Sequence, residues 1–332
     1  MIQIFRSHLI DFTGIILLGI LVYLISFSSG LNLPIGIPAS ILNLNVIFIS
    51  ILIEALPFVL IGVFIAGFIQ IFITEEHIRR WIPKNKAAAV VMGCTVGALF
   101  PACECGIVPI IRRLISKGVP VYAAIGFMLT GPLINPIVIV STYMAFGNDL
   151  KMAGLRMGLG FLIAIIIAFI VSIIFRSNHL KDSVQVIHHH SYVKKRSLIE
   201  QIWSMLTHSI DEFFDMAKYL IIGAFLASIV QVFMPAKAFL QIADDPVISL
   251  VIMMGFAYIL SLCSEADAFI GASFSSIFPR PSILGFLIFG PMIDFKNSIM
   301  MLSVFRLKFV LGVLVLTASV VFITILLFQN II

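Results

Sequence analysis

Gly97-Ala-Leu-Phe-Pro-Ala-Cys-Glu-Cys-Gly-Ile-Val-Pro109 lies inside a hydrophobic segment, yet it holds two prolines, two glycines, two thiols and a carboxylate. Pro101 and Pro109 bracket Cys103-Glu104-Cys105-Gly106. Proline removes a backbone donor, and glycine permits dihedrals closed to other residues. A continuous membrane helix has no use for such a cluster. A helix broken inside the membrane does, and non-helical backbone at that depth is tolerated only where protein or a water-filled cavity surrounds it. The stretch therefore reads as the tip of a broken helix lining a transport site.

The surrounding chain fits that reading. Its 332 residues are 61% hydrophobic and 11% charged, against roughly 25% charged in a soluble domain. This is the composition of an all-α polytopic membrane protein, whose main surroundings are the lipid bilayer. A net charge of +5 would suggest nucleic acid in a soluble protein. Here the basic residues fall in short loops between apolar spans, the pattern of cytoplasmic loops, and no nucleic-acid partner is expected. Four cysteines in this setting do not make a disulfide framework. No P-loop occurs, so the chain does not hydrolyse ATP itself, and neither an enzymatic role nor a cofactor is expected.

A span needs about 20 apolar residues. The first runs from about Phe12 to Phe27 and is read as an uncleaved membrane helix. The second runs from about Val46 to Ile73. The loop between them is uncharged; the loop after the second holds Arg79, Arg80, Lys84 and Lys86. The positive-inside rule makes the basic loop cytoplasmic, and with it the N-terminus. Ala87 to Phe100 is too short to cross. It is followed by the broken tip and a second basic loop, with Arg112, Arg113 and Lys117. If both basic loops are cytoplasmic, this part is a re-entrant hairpin. Val121 to Phe146 crosses with an interruption at Gly131-Pro132-Leu-Ile-Asn135-Pro136, and Ala153 to Phe175 crosses back. The organisation expected is an N-terminal helix and external loop (1–45), a first transmembrane repeat (46–175), a cytoplasmic linker (176–207) and a second repeat (208–332).

The repeat is visible by eye. Gly62, Phe64, Ala66, Gln70 and Phe72 match Gly223, Phe225, Ala227, Gln231 and Phe233 at an offset of 161, and Glu104 matches Glu265. Gly131-Pro132-x-Ile-Asn135 matches Gly290-Pro291-x-Ile-Asp294 at an offset of 159. If each hairpin fails to cross, each unit crosses an odd number of times and the second unit is inverted. Seven basic residues flank the first hairpin and only Lys237 and Arg280 the second, which agrees with inversion. Inverted repeats with paired interruptions are the sequence pointer to a secondary transporter with a midplane site. The rival arrangement lets both hairpins cross and gives parallel repeats.

Charged groups at membrane depth are costly and mark pathways or relays. Glu104, Glu265, Asp267 and Asp294 sit beside the interruptions. They are candidates for binding a small-molecule or ion substrate and coupling protons or ions; the alternative is a hairpin end near water, or a pairing of Asp294 with Lys296. Cys103 and Cys105 form a Cys-x-Cys at a helix start, where the dipole favours a thiolate that soft metals and metalloids would bind. Gly106 completes the tip. Cys263 is a candidate third sulfur, and Cys94 is read as packing. Asn135 is read as a substrate contact or as a cap for a freed helix end. His188-His189-His190 is read as a solvated linker.

Pro101-Ala-Cys103-Glu-Cys105-Gly106-Ile-Val-Pro109, followed by Gly131-Pro132-x-x-Asn135-Pro136, resembles the predicted-permease family that includes YraQ-type members and the organoarsenical efflux permeases of ArsP type. The likeness covers about Ile41 to Phe328. It implies a permease of the bacterial inner membrane. In the arsenical branch, cysteines at this motif bind trivalent organoarsenicals, a role that would fall here on Cys103 and Cys105. That branch tends to serine where this chain has Glu104 and Gly106, which places the chain nearer the YraQ-type members. The function expected is a gradient-driven exporter of a small solute, a thiol-reactive metalloid species or small anion. The alternatives are a passive channel with the same hairpins and an intramembrane thiol oxidoreductase.

Overall fold

A computed structural model describes Gly19, residues 39–100, 102–175, 198–233 and 245–330, and Ile332. The expected N-terminal helix, Pro101, the histidine run and Lys237 lie outside the described residues. Among the described residues the chain forms helices and no strand. The first half contains α1 (Ala39–Phe72), α2 (Glu75–Trp81), α3 (Lys86–Ala98), α4 (Glu104–Ser116), α5 (Val121–Thr130), α6 (Pro136–Ala145) and α7 (Leu150–Ile174). The second contains α8 (Leu198–Phe233), α9 (Pro246–Leu260), α10 (Ser264–Ser273), α11 (Arg280–Met292), α12 (Phe295–Met301) and α13 (Leu307–Phe328).

Two boundaries differ from the sequence expectation. Helix α1 starts at Ala39, so the supposed external loop is helical from there on. Helix α8 starts at Leu198, inside the stretch read as linker, because apolar residues at 198, 199, 202, 205 and 206 already recur at helical spacing. Among the described residues, five segments have the length and apolarity to cross a bilayer: Ser40–Phe72, Leu150–Ile174, Ile202–Phe233, Arg280–Met301 and Leu307–Phe328. Helices α3, α4, α9 and α10 have 13, 13, 15 and 10 residues, about 15–23 Å of helix. None of them spans alone.

Glycine lets the short helices pack at backbone contact. A Cβ on Gly93 would strike the Ala123 carbonyl, and one on Gly97 the Phe127 carbonyl. The residue numbers rise together, so α3 and α5 run side by side in the same direction. Only residues 117–120 separate α4 from α5. The α3–α4 pair therefore turns back to the end at which it began, and Lys117 Nζ donates to the Gln70 carbonyl near the end of α1 (2.8 Å). In the second half Gly285 meets Leu250 and Gly290 meets Ala257, so α9 and α11 are likewise parallel and α9–α10 likewise returns.

The long helices pair antiparallel. Along α1 and α8, Phe48 stacks edge-on against Phe225 (5.8 Å) and Ser209 Oγ donates to the Val63 carbonyl (3.4 Å). Along α7 and α13, Lys151 Nζ reaches the Ile332 carbonyl (3.4 Å) and Phe175 packs on Phe309 (4.8 Å). The halves are not identical in their packing. Helix α4 lies along α1, where a Cβ on Gly62 would collide with the Gly106 carbonyl. The matching surface of α8, at Gly223, is instead covered by the backbone of Lys296 in α12, and α10 packs against α6.

The second basic loop is corrected. Arg112 and Arg113 belong to α4 and are buried, because Glu212 of α8 offers them a carboxylate. Arg113 Nε and Nη2 approach Glu212 Oε2 at 2.8 and 2.7 Å, and Arg112 Nη1 lies 3.8 Å from Oε1. Glu212→Gln keeps one acceptor but leaves two buried guanidiniums without an anion. It is expected to cost about 2 kcal/mol, read as a lower unfolding midpoint of the detergent-purified protein.

Candidate functional site

Both hairpin tips end in the same construction. Helix α4 has Cys103 as N-cap (φ −76°, ψ 166°), and α10 has Cys263 (φ −75°, ψ 152°). Counted from the caps, Cys103 corresponds to Cys263 at an offset of 160, and Glu104 to Ser264. Glu265 thus sits one position further into its helix than the sequence match suggested. The paired thiols, rather than the paired glutamates, share a place.

The breaks in the second half are held by side chains. Ser261 ends α9 in the left-handed region (φ 47°, ψ 42°), a conformation costly for a residue with a side chain. Two carbonyls lose their helical partners there. Gln231 Nε2 donates to the Leu260 carbonyl (2.5 Å), and Lys296 Nζ to that of Ser261 (3.3 Å). The Lys296 amide also donates to Ser261 Oγ (3.3 Å). Further on, Pro291 has no N–H for the Leu287 carbonyl. Arg156 of α7 supplies one, with Nε 3.1 Å away. The same guanidinium donates to Thr142 Oγ1 (2.6 Å) and to the Ser264 carbonyl (3.0 Å). It thereby joins α6, α10 and α11, and it lies within electrostatic reach of Asp267 and Glu265.

Lys296 does for the first tip what Arg156 does for the second. Its ammonium lies 3.6 Å from Glu104 Oε1 and 3.8 Å from Asp294 Oδ2, and all three side chains are buried. Glu104 opens α4, where the helix dipole favours an anion. Asp294 caps α12 by accepting from the Asn297 amide. Each half thus lends one buried cation to the broken hairpin of the other. Glu54, exposed near the midpoint of α1, lies within electrostatic reach of Cys263 and of Lys296.

The candidate residues now separate. Glu104, Cys105, Asp267 and Asp294 are buried in the seam between the halves; Cys103, Cys263 and Glu265 are half-buried. Gly106 is the point of contact between α4 and α1. Asn135 caps α6, its Oδ1 accepting from the Ile137 amide (3.0 Å), which is the capping alternative. Cys94 is packing, buried against Gly126. The Cys103 and Cys105 thiols lie within reach of each other. Cys263 does not join them as a third sulfur, and among the described residues no three His, Cys, Asp or Glu side chains are gathered for a metal. The sequence reading missed Arg156, although an arginine inside an apolar span was signal enough. It saw Lys296 only as a neutraliser of Asp294.

This architecture, long apolar helices around short broken ones with buried charges at the breaks, defines a polytopic membrane protein built to pass a solute. Comparison with known proteins agrees. The ArsP_1 family model, described as predicted permease, matches residues 40–330. The chain belongs to that family. It is 50% identical over 272 residues to the UPF0718 protein YcgR of Bacillus subtilis, covering 82% of this chain and 92% of that one. It is 42% identical over 275 residues to a putative two-component membrane permease complex subunit of Streptococcus mutans, covering 83% and 91%. A shorter likeness, 26% over 129 residues, links it to the UPF0718 protein MJ0584 of Methanocaldococcus jannaschii, covering 38% and 35%. No solved structure matches the chain.

Proposed function

We propose that this permease is a gradient-driven secondary transporter. Its solute passes the polar seam where two inverted halves meet at their broken helices, midway through the inner membrane. The observation that carries this reading is the exchange of buried cations, Arg156 to the second tip and Lys296 to the first. An apolar core has no need of either. Glu54 is exposed near the midpoint of α1, and because a carboxylate facing lipid at that depth is costly, the reading puts water beside it. The unequal packing of the halves supports alternating access: exchanging their arrangements, α10 onto α8 and α4 off α1, opens the opposite side. Glu104, Glu265, Asp267 and Asp294 bind and couple, Cys103 and Cys105 meet the solute, and the N-terminus is cytoplasmic. The reading also gives the chain a second, different subunit, as the name of the Streptococcus mutans relative states for that protein.

The test is flux into vesicles bearing the protein, with metalloids, metals and sulfur anions offered under an imposed pH gradient. Saturable uptake that follows the gradient is expected for one of them. Uptake linear in concentration and blind to the gradient is the channel's signature and would refute the reading. Cys103→Ser/Cys105→Ser is expected to fold with about 1 kcal/mol lost and to lose at least tenfold in flux of a thiol-reactive solute. Undiminished flux removes sulfur from the mechanism.

A further inference from the structure

The surroundings of Lys296 point to a ligand smaller than any solute. We propose that Glu104 and Asp294 form the seat of a monovalent cation, a proton or an alkali ion, and that the Lys296 ammonium is its tethered stand-in, holding the seat while no ion is bound. The proposal rests on reading the seam as a transport path and names its coupling ion.

Three observations carry it. The ammonium lies 3.6 and 3.8 Å from the two carboxylates, whereas a charge-assisted N–H···O bond is about 2.7–2.9 Å. It sits between the acids without bonding closely to either. Glu104 Oε2 and Asp294 Oδ2 are both buried and make no hydrogen bond, on residues 2% and 1% exposed. Such atoms are rare in folded proteins and mark an unfilled need. Finally, two carboxylates face one ammonium, so the group is one positive charge short. The other groups that reach it do not supply that charge. They are Glu54 from α1, Cys105 from α4, Tyr258 from α9 and Asp267 from α10, the last already facing Arg156. The donors at hand are carboxylate oxygens and the Ser261 carbonyl, and Asn297 Oδ1 next along α12 is also buried and unpartnered. Oxygen donors suit a hard ion.

The seat is wired to the break. Lys296 Nζ also holds the Ser261 carbonyl, the left-handed turn between α9 and α10. A proton placed on either carboxylate, or an alkali ion between them, removes the attraction that keeps the ammonium there. The ammonium then leaves Ser261 as well. Occupancy at the tip of one hairpin thus loosens the break of the other.

The experiment is thermal unfolding of the purified protein in detergent, across mildly acid to mildly alkaline pH and in sodium chloride against choline chloride at equal ionic strength. Lys296→Met vacates the seat. If the ion is alkali, sodium raises the midpoint of this variant by roughly 5 °C or more at a hundredfold excess over its dissociation constant. If it is a proton, acid raises the midpoint and the two salts are equivalent. The wild type responds less in either case, since Lys296 competes. Adding Glu104→Gln to Lys296→Met must abolish whichever effect appears. A Lys296→Met variant whose dependence on pH and on sodium matches the wild type overturns the proposal. Should that variant not fold, sodium, acid or the added Glu104→Gln must rescue it, and failure of all three overturns the proposal equally. Wild-type protein that carries no solute while these shifts appear sinks the transport reading alone; wild-type flux without the shifts sinks the seat alone.

Discussion

Arg156→Met is expected to leave little folded protein. The arginine is 2% exposed and donates to three acceptors on three helices, at 3.1, 2.6 and 3.0 Å. One of these, the Leu287 carbonyl, has no helical donor because Pro291 stands four residues on. Methionine fills the space of the stem but returns none of the three bonds. It also strips Asp267, 2% exposed, of its facing cation. Removing one partner of a buried ion pair costs about 3–5 kcal/mol. That is most of the stability of an ordinary domain, typically about 5–15 kcal/mol. Arg156→Lys keeps the charge but not the fork and reaches fewer acceptors, so it is expected to fall between the two. Size-exclusion profiles and unfolding midpoints of the three proteins check this order. A methionine variant as stable as wild type would mean that the guanidinium does not hold the second break.

Gly62→Leu is expected to part α1 from α4. A Cβ at Gly62 would fall on the Gly106 carbonyl, and one at Gly106 would come 2.8 Å from the Phe58 carbonyl. Both obstacles are backbone, so no rotamer change relieves them. Overpacking typically costs 1–3 kcal/mol, and here the upper end, about 3 kcal/mol, applies. The control is Gly158→Ala in α7, where nothing lies within 4 Å of the added Cβ. Alanine there gains up to about 1 kcal/mol of helix propensity. Opposite shifts of the two unfolding midpoints are expected. Equal shifts would mean that α4 does not lie on α1.

How much of this was legible in the sequence follows from which signals are local. Gly131-Pro132 and Gly290-Pro291 act on their own backbone, so the broken elements at Asn135 and at Asp294 could be read directly, whereas Pro109 lies inside α4, which runs on through it. Gly62 and Gly223 could be matched because glycine at a helix contact leaves a mark in the sequence. Partnerships were not legible. Arg156 bonds to Ser264, 108 residues away, and Arg113 to Glu212, 99 residues away. No local pattern encodes such distances, so Arg112 and Arg113 read as loop charge, although they are buried in α4. The match of Glu104 to Glu265 failed by one residue for a related reason. Identity of side chains set that register, whereas the helix caps at Cys103 and Cys263 set the structural one.

The account stands on two halves facing opposite ways. Labelling of single cysteines with a charged, membrane-impermeant maleimide tests it most directly. Lys84→Cys beside the first hairpin and Arg280→Cys beside the second are placed in a chain whose native cysteines are serine. Inverted halves predict that Arg280→Cys reacts in intact cells and Lys84→Cys only after the membrane is opened. Reaction of both from the same side would contradict the account.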